Sequence, residues 1–325
     1  MDATIKALTG DFTIFDLGSA SATELSDLRP FRSALTLIEL DAVAAAATTS
    51  SEYYRKISLQ AAIAGQPGQR TFYQRKFPQS SSFLPAKMDL VAAYGLQALF
   101  EVEKTFDIEC ETLSSVFSAN NIQRVDFLKT DLEGLDYEIL ASTPEIVRQS
   151  LVIQCEVRFQ PLFVGEPDFA TIAAYLASLG FELITLRPEV WKYATQRRDL
   201  MRDGRMVWAD AIFFNSEEQL ASLFQDKAPL ARLKQIILAQ ALGLHNYAQY
   251  LFERTRGQLP SDIQAEMADY LTSNTTASHL LVQALNRLAS VPGGGRMVWS
   301  LRRSSLALAR ALTIHRNLRH IAPPF

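Results

Sequence analysis

Charged residues follow the apolar run VDFLKT, residues 125–130, where a buried strand is predicted to end. Lys129 precedes that end, and Asp131 and Glu133 follow it before the helical run GLDYEILAS. Buried charges are costly unless they are paired or bind something, so this stretch predicts a functional site. Together with Glu156, near the end of the next predicted strand, the two carboxylates are suited either to taking a proton from a hydroxyl group or to holding a hard cation such as Mg²⁺.

The metal-free interpretation is favoured, because carboxylates at this spacing are also common without a metal. Lys129 shares a strand face with Asp131, which predicts a structural ion pair; the alternative is a direct role of the lysine at the acceptor oxygen. Glu133 also has a structural alternative, since an acid in the first turn of a helix is stabilised by the helix dipole. Arg158 and the turn at 159–167 are weaker candidates for substrate contact.

All four histidines lie in the C-terminal helical part of the sequence, at His245, His279, His315 and His320. An imidazole base, a Ser-His-Asp triad and a histidine metal site are therefore not expected in the N-terminal part. Carboxylates or a lysine remain as the groups able to accept a proton.

Two earlier strands end in a pattern that suits a nucleoside. The first ends FDLGSAS, with Asp16 and Gly18 ahead of a helix, and the second ends IELD, with Glu39 at the position where nucleotide-binding α/β folds hold ribose hydroxyls. The sequence lacks the G-x-G-x-x-G and P-loop motifs that bind phosphates. An acid-lined loop without a phosphate site favours a cationic nucleoside such as S-adenosylmethionine.

The elements that must position these residues alternate along the chain from residue 12 to about 214. Strands apolar on both faces, with helices between them, indicate a mostly parallel sheet covered on both sides. The predicted strands are 12–17, 35–40, 57–64, 125–130, 151–157, 181–186 and 207–214. An insert between residues 65 and 113 carries turn residues, aromatic residues and two strand-like runs predicted to pair. It is expected either to shape a substrate pocket or to form a surface hairpin.

The ordered motifs FDLGSA, IELDA, AAIAGQPGQRTFY, VDFLKTDLEGLDYEIL, VIQCEVRF, LASLGFELITL and ADAIFF resemble those of the FkbM-type S-adenosylmethionine-dependent methyltransferases. The similarity covers about residues 11 to 215, and its most specific element is LK-x-D-x-E-G before a helix. The resemblance implies an α/β fold of the class I methyltransferase (Rossmann-like) type: a seven-stranded, mostly parallel sheet whose last strand is antiparallel. It also implies methyl transfer, most often to an oxygen of a sugar, glycan or natural product.

The resemblance also implies roles for individual residues. The resemblance places Asp16, Gly18, Ser19 and Ala20 in the cofactor loop. It implies that Glu39, with Leu40 beside it, binds the ribose hydroxyls. Ala62 and Ile63 would contact the adenine edge, and Asp131 would lie by the methionine end. One departure from the family pattern is the loop itself, which usually has a second glycine where this sequence has Ala20 or Ser21.

Length and composition predict two domains. The chain has 325 residues, of which 48% are hydrophobic and 21% charged, as in ordinary globular proteins. After residue 216 the sequence pattern predicts helices only. This change predicts a methyltransferase domain at 1–216 and an all-helical C-terminal extension at 217–325. The N-terminal residues lack a signal-peptide pattern, and no apolar run reaches the ~18 residues of a membrane span, so a cytoplasmic protein is expected.

The sequence after Asp269 contains arginines and no acids. Its arginines lie in amphipathic helical runs without interleaved aromatic residues, which favours solvated helix faces, and no nucleic acid is expected as a partner. A phosphate-bearing partner or an anionic membrane surface is the alternative. The C-terminal helices also suit a homo-oligomer contact or a protein partner.

A second interpretation of the whole chain follows: a catalytically degenerate methyltransferase fold that works as a binding or scaffold protein through these helices.

Overall fold

A computed structural model describes residues 1–18, 26–42, 53–195 and 204–273. Its strands are β1 (Phe12–Leu17), β2 (Leu35–Asp41), β3 (Arg55–Gln60), β4 (Ala62–Ile63), β5 (Gly68–Arg75), β6 (Val102–Glu111), β7 (Phe127–Thr130), β8 (Val152–Arg158), β9 (Phe181–Trp191) and β10 (Arg205–Asn215). The helices are α1 (Asp2–Leu8), α2 (Met88–Ala93), α3 (Gln97–Phe100), α4 (Leu113–Ala119), α5 (Asp136–Ser142), α6 (Pro144–Gln149), α7 (Phe169–Ser178), α8 (Glu217–Phe224), α9 (Ala228–Ala241), α10 (His245–Thr255) and α11 (Ser261–Ser273).

Seven strands form the main sheet in the order β3-β2-β1-β7-β8-β10-β9. The strand pairs within β3-β2-β1-β7-β8 are parallel, and β10 is antiparallel to both of its neighbours. This is the predicted class I methyltransferase topology, so the predicted fold class is confirmed. The order reverses between β1 and β7, where ligands bind in open α/β sheets.

One predicted strand is divided in two. The sequence predicted a single strand at 57–64, whereas the chain leaves the main sheet after β3 and β4 joins a second, three-stranded sheet of order β4-β6-β5. In this small sheet β5 pairs antiparallel with β6, as predicted for the insert. The small sheet therefore stands beside the carboxyl ends of the main strands.

Both faces of the main sheet are covered. On one face, apolar side chains of the strands, such as Phe15 and Leu128, pack with residues of α4, α5 and α7. On the other face lies α9, whose residues 231–240 are all buried. Lys234 of α9 approaches the Phe12 ring and forms an ion pair with Asp126 at 3.1 Å. These layers explain why the predicted strands are apolar on both faces.

The chain divides into two compact units, residues 1–267 and 268–325. The first contains the main sheet together with α8, α9 and α10. The second contains the end of α11 among the described residues. The domain boundary predicted at residue 216 stays a prediction. Among the described residues, no helix has the length and apolar character needed to cross a membrane.

Candidate active site

The ends of β1, β2 and β7 are held together by backbone contacts. The N–H of Gly18 donates to the carbonyl of Leu40 at 3.0 Å, and the N–H of Asp131 donates to the carbonyl of Leu17 at 3.0 Å. Gly18 has a φ of +87°, and a Cβ there would lie 2.1 Å from the carbonyl oxygen of Asp131. Only glycine permits this approach of two backbones, so Gly18 fixes the edge of the site.

Lys129 is paired with Asp16. Its Nζ lies 3.0 Å from Asp16 Oδ1, and the β1–β7 register places the two residues side by side. The predicted pair between Lys129 and Asp131 is therefore wrong, because neighbouring strands supply a partner at the same level. Both residues are buried, with Asp16 1% exposed, so this ion pair lies beneath the strand ends.

Side-chain hydrogen bonds hold the turn after β7, which carries Asp131 and Glu133. Thr130 Oγ1 donates to Asp136 Oδ1 at 2.6 Å, and the N–H of Leu132 donates to Asp136 Oδ2 at 3.3 Å. Glu133 has a φ of +47°, a left-handed conformation that costs a non-glycine residue of order 1–3 kcal/mol. Ser82 Oγ in the insert donates to the Glu133 carbonyl at 2.7 Å, which helps to hold that conformation.

Three carboxylates converge beside one arginine. Carboxylate oxygens of Asp131, Glu133 and Glu156 lie within 4.8 Å of one another. The side chain of Arg158 is 4% exposed; its Nη2 lies 2.9 Å from Glu133 Oε2 and also contacts Glu156 Oε1. Its Nε lies 3.0 Å from Glu166 Oε1. The guanidinium therefore lies against two of the three carboxylates, Glu133 and Glu156.

Burial dominates the titration of these acids. It raises the pKa of Glu133 to about 8, against the opposing effect of Arg158, and raises the pKa of Asp136 to about 6, against the hydrogen bond from Thr130. Burial also raises the pKa of Asp131, while Lys129 and Arg158 act in the opposite direction. The pKa of Glu156 is raised for the same reason. A carboxyl group poised near neutral pH is suited to general base chemistry.

A cavity of about 570 Å³ opens above these groups, a size typical of small-molecule sites. The strand ends contribute Leu17, Gly18, Leu40, Asp41, Ala42, Asp131, Leu132, Glu133 and Leu135 to its wall. The opposite wall comes from Ala61 and Ile63 and from the insert, chiefly Phe72, Gln74, Arg75, Ser81, Ser82, Phe83 and Glu103. The insert therefore lines the pocket, the first of the two interpretations that its sequence allowed.

The predicted site residues divide into three groups. Gly18, Leu40, Ile63, Asp131 and Glu133 line the cavity. The residues of the second group do not line the cavity. Asp16 and Lys129 lie beneath the strand ends, and Ala62 packs into the core of the small sheet. Glu39 is paired with Lys56 at 3.0 Å, and Glu156 contacts Arg158. Ser19 and Ala20 lie outside the described residues. The functional roles of all these residues stay predictions.

Sequence reasoning missed Asp41 and the role of Glu166. Asp41 is the last residue of β2 and lines the cavity, and its carboxyl group at a strand end was a signal that could have found it. Glu166 accepts hydrogen bonds from the backbone N–H groups of Leu162 and Phe163, at 2.6 and 3.0 Å, and so ties the loop after β8 to Arg158. Only the folded arrangement shows that contact.

Comparison with known proteins gives one match to a family model. Residues 33–183 match the model of the methyltransferase FkbM domain. No curated protein matches the chain.

Two solved structures align with the chain at 11% sequence identity and a TM-score of 0.27. One is a candidate tRNA (m1A22) methyltransferase from Streptococcus pneumoniae, with 83% of this chain and 94% of that chain covered. The other is a protein of the NADB-Rossmann superfamily from Streptococcus agalactiae, with 83% and 92% covered.

The family match includes β2, the whole insert, the LKTDLEG turn and β8, the elements that build most of the cavity. It supports methyl transfer as the reaction class. Residues 33–183 therefore match the methyltransferase FkbM domain, the family that the ordered motifs resemble.

Proposed function

We propose that this protein transfers a methyl group from S-adenosylmethionine to a hydroxyl oxygen of a sugar, glycan or natural-product acceptor. The observation that carries the proposal is the placement of Asp131 and Glu133 on the wall of a cavity at the switch point of a methyltransferase sheet. The family match supports methyl transfer in general. The oxygen acceptor is the step we add.

The residues of the cavity fit the cofactor. Gly18 lets the Asp131 carbonyl approach, because any side chain at Gly18 would collide with it, and both residues line the cavity at the strand ends. Leu40 and Ile63 offer apolar contacts for an adenine ring, and the carboxylates of Asp41 and Asp131 suit a ligand that carries an ammonium and a sulfonium. The cavity wall therefore combines apolar contacts with negative charge, as a cationic nucleoside requires.

When bound, S-adenosylmethionine supplies an electrophilic methyl group on a positively charged sulfur. Glu133, as the carboxylate, would take the proton that the acceptor hydroxyl loses when it receives the methyl group. The insert lines the cavity and shields part of it from water, and the alignment of the two reactants in that space lowers the barrier.

Arg158 supports the metal-free form of this reaction. Its guanidinium contacts Glu133 and Glu156 and supplies positive charge at the point where these carboxylates would otherwise gather a cation. The charges of the two acids are thereby partly balanced within the chain itself.

The test uses S-adenosylmethionine labelled with ¹³C in the methyl group and a panel of mono- and oligosaccharides and polyhydroxylated natural products. We expect a labelled methyl ether, identified by a through-bond NMR correlation to the oxygen-bearing carbon. A label on nitrogen or carbon would contradict the oxygen acceptor. Activity that EDTA abolishes and Mg²⁺ restores would contradict the metal-free reaction.

A further inference from the structure

The hairpin formed by β5 and β6 contains a β-bulge beside the cavity. Its antiparallel register pairs Gln74 with Lys104 and then shifts, so that Arg75 pairs with Val102. Glu103 is therefore the extra residue on β6. A bulge turns a side chain away from the face that regular alternation would give it, and bulges are common next to active sites.

The bulge brings Glu103 to the side of Gln74. Phe72 pairs with Phe106 and lines the cavity, as does Gln74 two residues later. Glu103 is three residues from Phe106, so regular alternation would place these two side chains on opposite faces of the small sheet. Instead, Gln74 Nε2 donates to Glu103 Oε2 at 3.2 Å, and Glu103 also lines the cavity. The irregularity in β6 therefore adds a carboxylate to this wall.

Gln74 and Glu103 retain unused hydrogen-bonding atoms. Among the described residues, the bond between them is the only side-chain hydrogen bond that either residue makes. One N–H of the amide, its oxygen and the second carboxylate oxygen therefore remain available to a ligand. Ser81 Oγ, also on the cavity wall, accepts the backbone N–H of Arg75 at 3.0 Å and still has its own O–H to donate.

This combination of donors and acceptors suits hydroxyl groups. A hydroxyl both donates and accepts, so two neighbouring hydroxyls can satisfy the amide and the carboxylate together. An ammonium group only donates and would leave the amide N–H without an acceptor, and Glu103 would repel an anion. The rings of Phe72 and Phe83, with centroids 5.0 Å apart, also line the cavity and offer an apolar surface to the C–H groups of a sugar ring.

The insert is held against the turn that carries Glu133. Ser82 Oγ donates to the Glu133 carbonyl at 2.7 Å, and the backbone of Ser82 is bonded to Tyr73, the neighbour of Gln74, at 2.9 and 3.3 Å. Gln74 and Glu133 thus lie on adjoining parts of one cavity wall. A polyhydroxylated acceptor can therefore present one hydroxyl to Glu133 while others contact Gln74 and Glu103.

We propose that Gln74 and Glu103 form the acceptor subsite and bind neighbouring hydroxyl groups of a sugar. This inference rests on the proposed function, since it names the acceptor class of that reaction. The methyl group would go to a further hydroxyl of the same sugar, the one beside Glu133.

Saturation-transfer difference NMR of the full chain, saturated with S-adenosylhomocysteine, measures acceptor binding without turnover. The neutral probes are the methyl α-glycosides of glucose, mannose, galactose and rhamnose. Cyclohexanol is a six-membered ring with one hydroxyl, and methyl α-glucosaminide is a cationic sugar. The variants are Gln74→Leu and Glu103→Leu.

Gln69→Leu and Glu109→Leu are the matched controls. Gln69 and Glu109 are paired across the same two strands, both are exposed, and neither belongs to the described cavity wall. Circular dichroism and the melting temperature establish that each variant is folded. Calorimetry gives the affinity of each variant for S-adenosylhomocysteine.

We expect at least one neutral glycoside to bind the wild-type complex more tightly than cyclohexanol or the glucosaminide does. Gln74→Leu and Glu103→Leu should each weaken the binding of that glycoside about 3- to 10-fold, the range for the loss of one hydrogen bond. Both variants should keep their affinity for S-adenosylhomocysteine, and both controls should bind the glycoside as the wild-type protein does.

The subsite assignment is overturned if no neutral glycoside binds, or if cyclohexanol binds equally well. It is also overturned if the Gln74 and Glu103 variants bind like the wild-type protein, or if the controls weaken binding as much. Tighter binding of the glucosaminide, lost in Glu103→Leu, would assign an amine in place of the hydroxyls. In all these cases, binding of S-adenosylhomocysteine by the wild-type protein leaves the proposed methyl transfer intact. A folded wild-type protein that does not bind S-adenosylhomocysteine would instead contradict the proposed function.

Discussion

Both the backbone conformation of Gly18 and the space beside it exclude a side chain. Its φ of +87° and the 2.1 Å that would separate a Cβ from the Asp131 carbonyl oxygen leave no room for a side chain. Gly18→Ala is expected to lower the free energy of unfolding by about 2 kcal/mol or more and to weaken S-adenosylhomocysteine binding. Denaturant unfolding measures the first effect and calorimetry the second.

Gly257→Ala is the matched control, because a Cβ at Gly257 would meet nothing within 4 Å and its φ is not in the left-handed region. It should change the unfolding free energy by less than about 0.5 kcal/mol. Equal effects of the two substitutions would show that Gly18 is not the close-approach point described here.

Glu133 carries the proposed proton transfer. Glu133→Gln is expected to lower kcat by roughly 10²- to 10⁴-fold, the usual contribution of general base catalysis, while S-adenosylhomocysteine affinity changes little. The carboxylate is the active form and burial raises the pKa of Glu133 to about 8, so kcat/KM of the wild-type enzyme should rise as the pH increases through this value. A pH profile that is flat from pH 6 to 9, or a variant with unchanged kcat, would exclude Glu133 as the base.

For individual residues, the sequence indicated which ionisable side chains lie near the cavity, but it did not indicate which residues they pair with. The pattern LKTDLEG singled out Asp131 and Glu133, because charges at the end of a buried strand are costly, and both residues line the cavity; their roles stay predictions. It failed for Lys129, because alternation along one strand suggested Asp131 as the partner whereas the adjacent strand provides Asp16.

Among the elements, β8 and the loop that follows it are held to the site by Arg158. The arginine contacts Glu133, Glu156 and Glu166, which belong to the turn after β7, to β8 itself and to the loop after β8. Arg158→Met would leave these buried acids without their cation. The free energy of unfolding should fall by about 3–5 kcal/mol, the usual loss when one partner of a buried ion pair is removed.

Arg254→Met provides the comparison. Arg254 pairs with Glu217 at 2.9 Å, and both side chains are more than half exposed, so the loss of stability should be much smaller than that at Arg158. Chemical denaturation of both variants decides the matter: a loss at Arg158 no larger than that at Arg254 would mean that the carboxylates do not depend on the guanidinium.

The elements themselves were largely predictable because their hydrophobic patterns are strong. Strands β1, β2, β7, β8, β9 and β10 follow the apolar runs of the sequence to within a few residues, except that β9 extends five residues past the predicted Leu186. The division at Ala61 was missed because the run ISLQAAIA is continuously strand-like. Its two halves pair with different sheets, a choice that depends on contacts distant in sequence.

For the whole molecule, helices α8, α9 and α10 belong to the same compact unit as the main sheet. Lys234 of α9 is the main electrostatic link: its Nζ lies 3.1 Å from Asp126 Oδ2, and both side chains are 1% exposed. Lys234→Met should cost about 3–5 kcal/mol of stability, because Asp126 would be left buried without this partner. The double variant Lys234→Met, Asp126→Leu should recover part of the loss. No recovery would indicate that the ion pair does not couple α9 to the sheet.

The cytoplasmic location and an oligomer or protein partner at the C-terminal helices stay predictions. The basic sequence after residue 273 lies outside the described residues, so the expectations about its helix faces rest on sequence alone. The scaffold interpretation predicts that deletion of residues 217–325 abolishes biological activity while Asp131→Ala preserves it. The methyltransferase proposed here requires Asp131 and Glu133.

Calorimetric titration of the full-length chain with S-adenosylhomocysteine, and separately with NAD⁺, tests most directly whether the strand-end cavity takes a cationic adenosyl cofactor or its product. We predict one binding site for S-adenosylhomocysteine, competition by S-adenosylmethionine and no binding of NAD⁺. Folded protein that binds the dinucleotide, or that binds no adenosyl compound, would contradict the account.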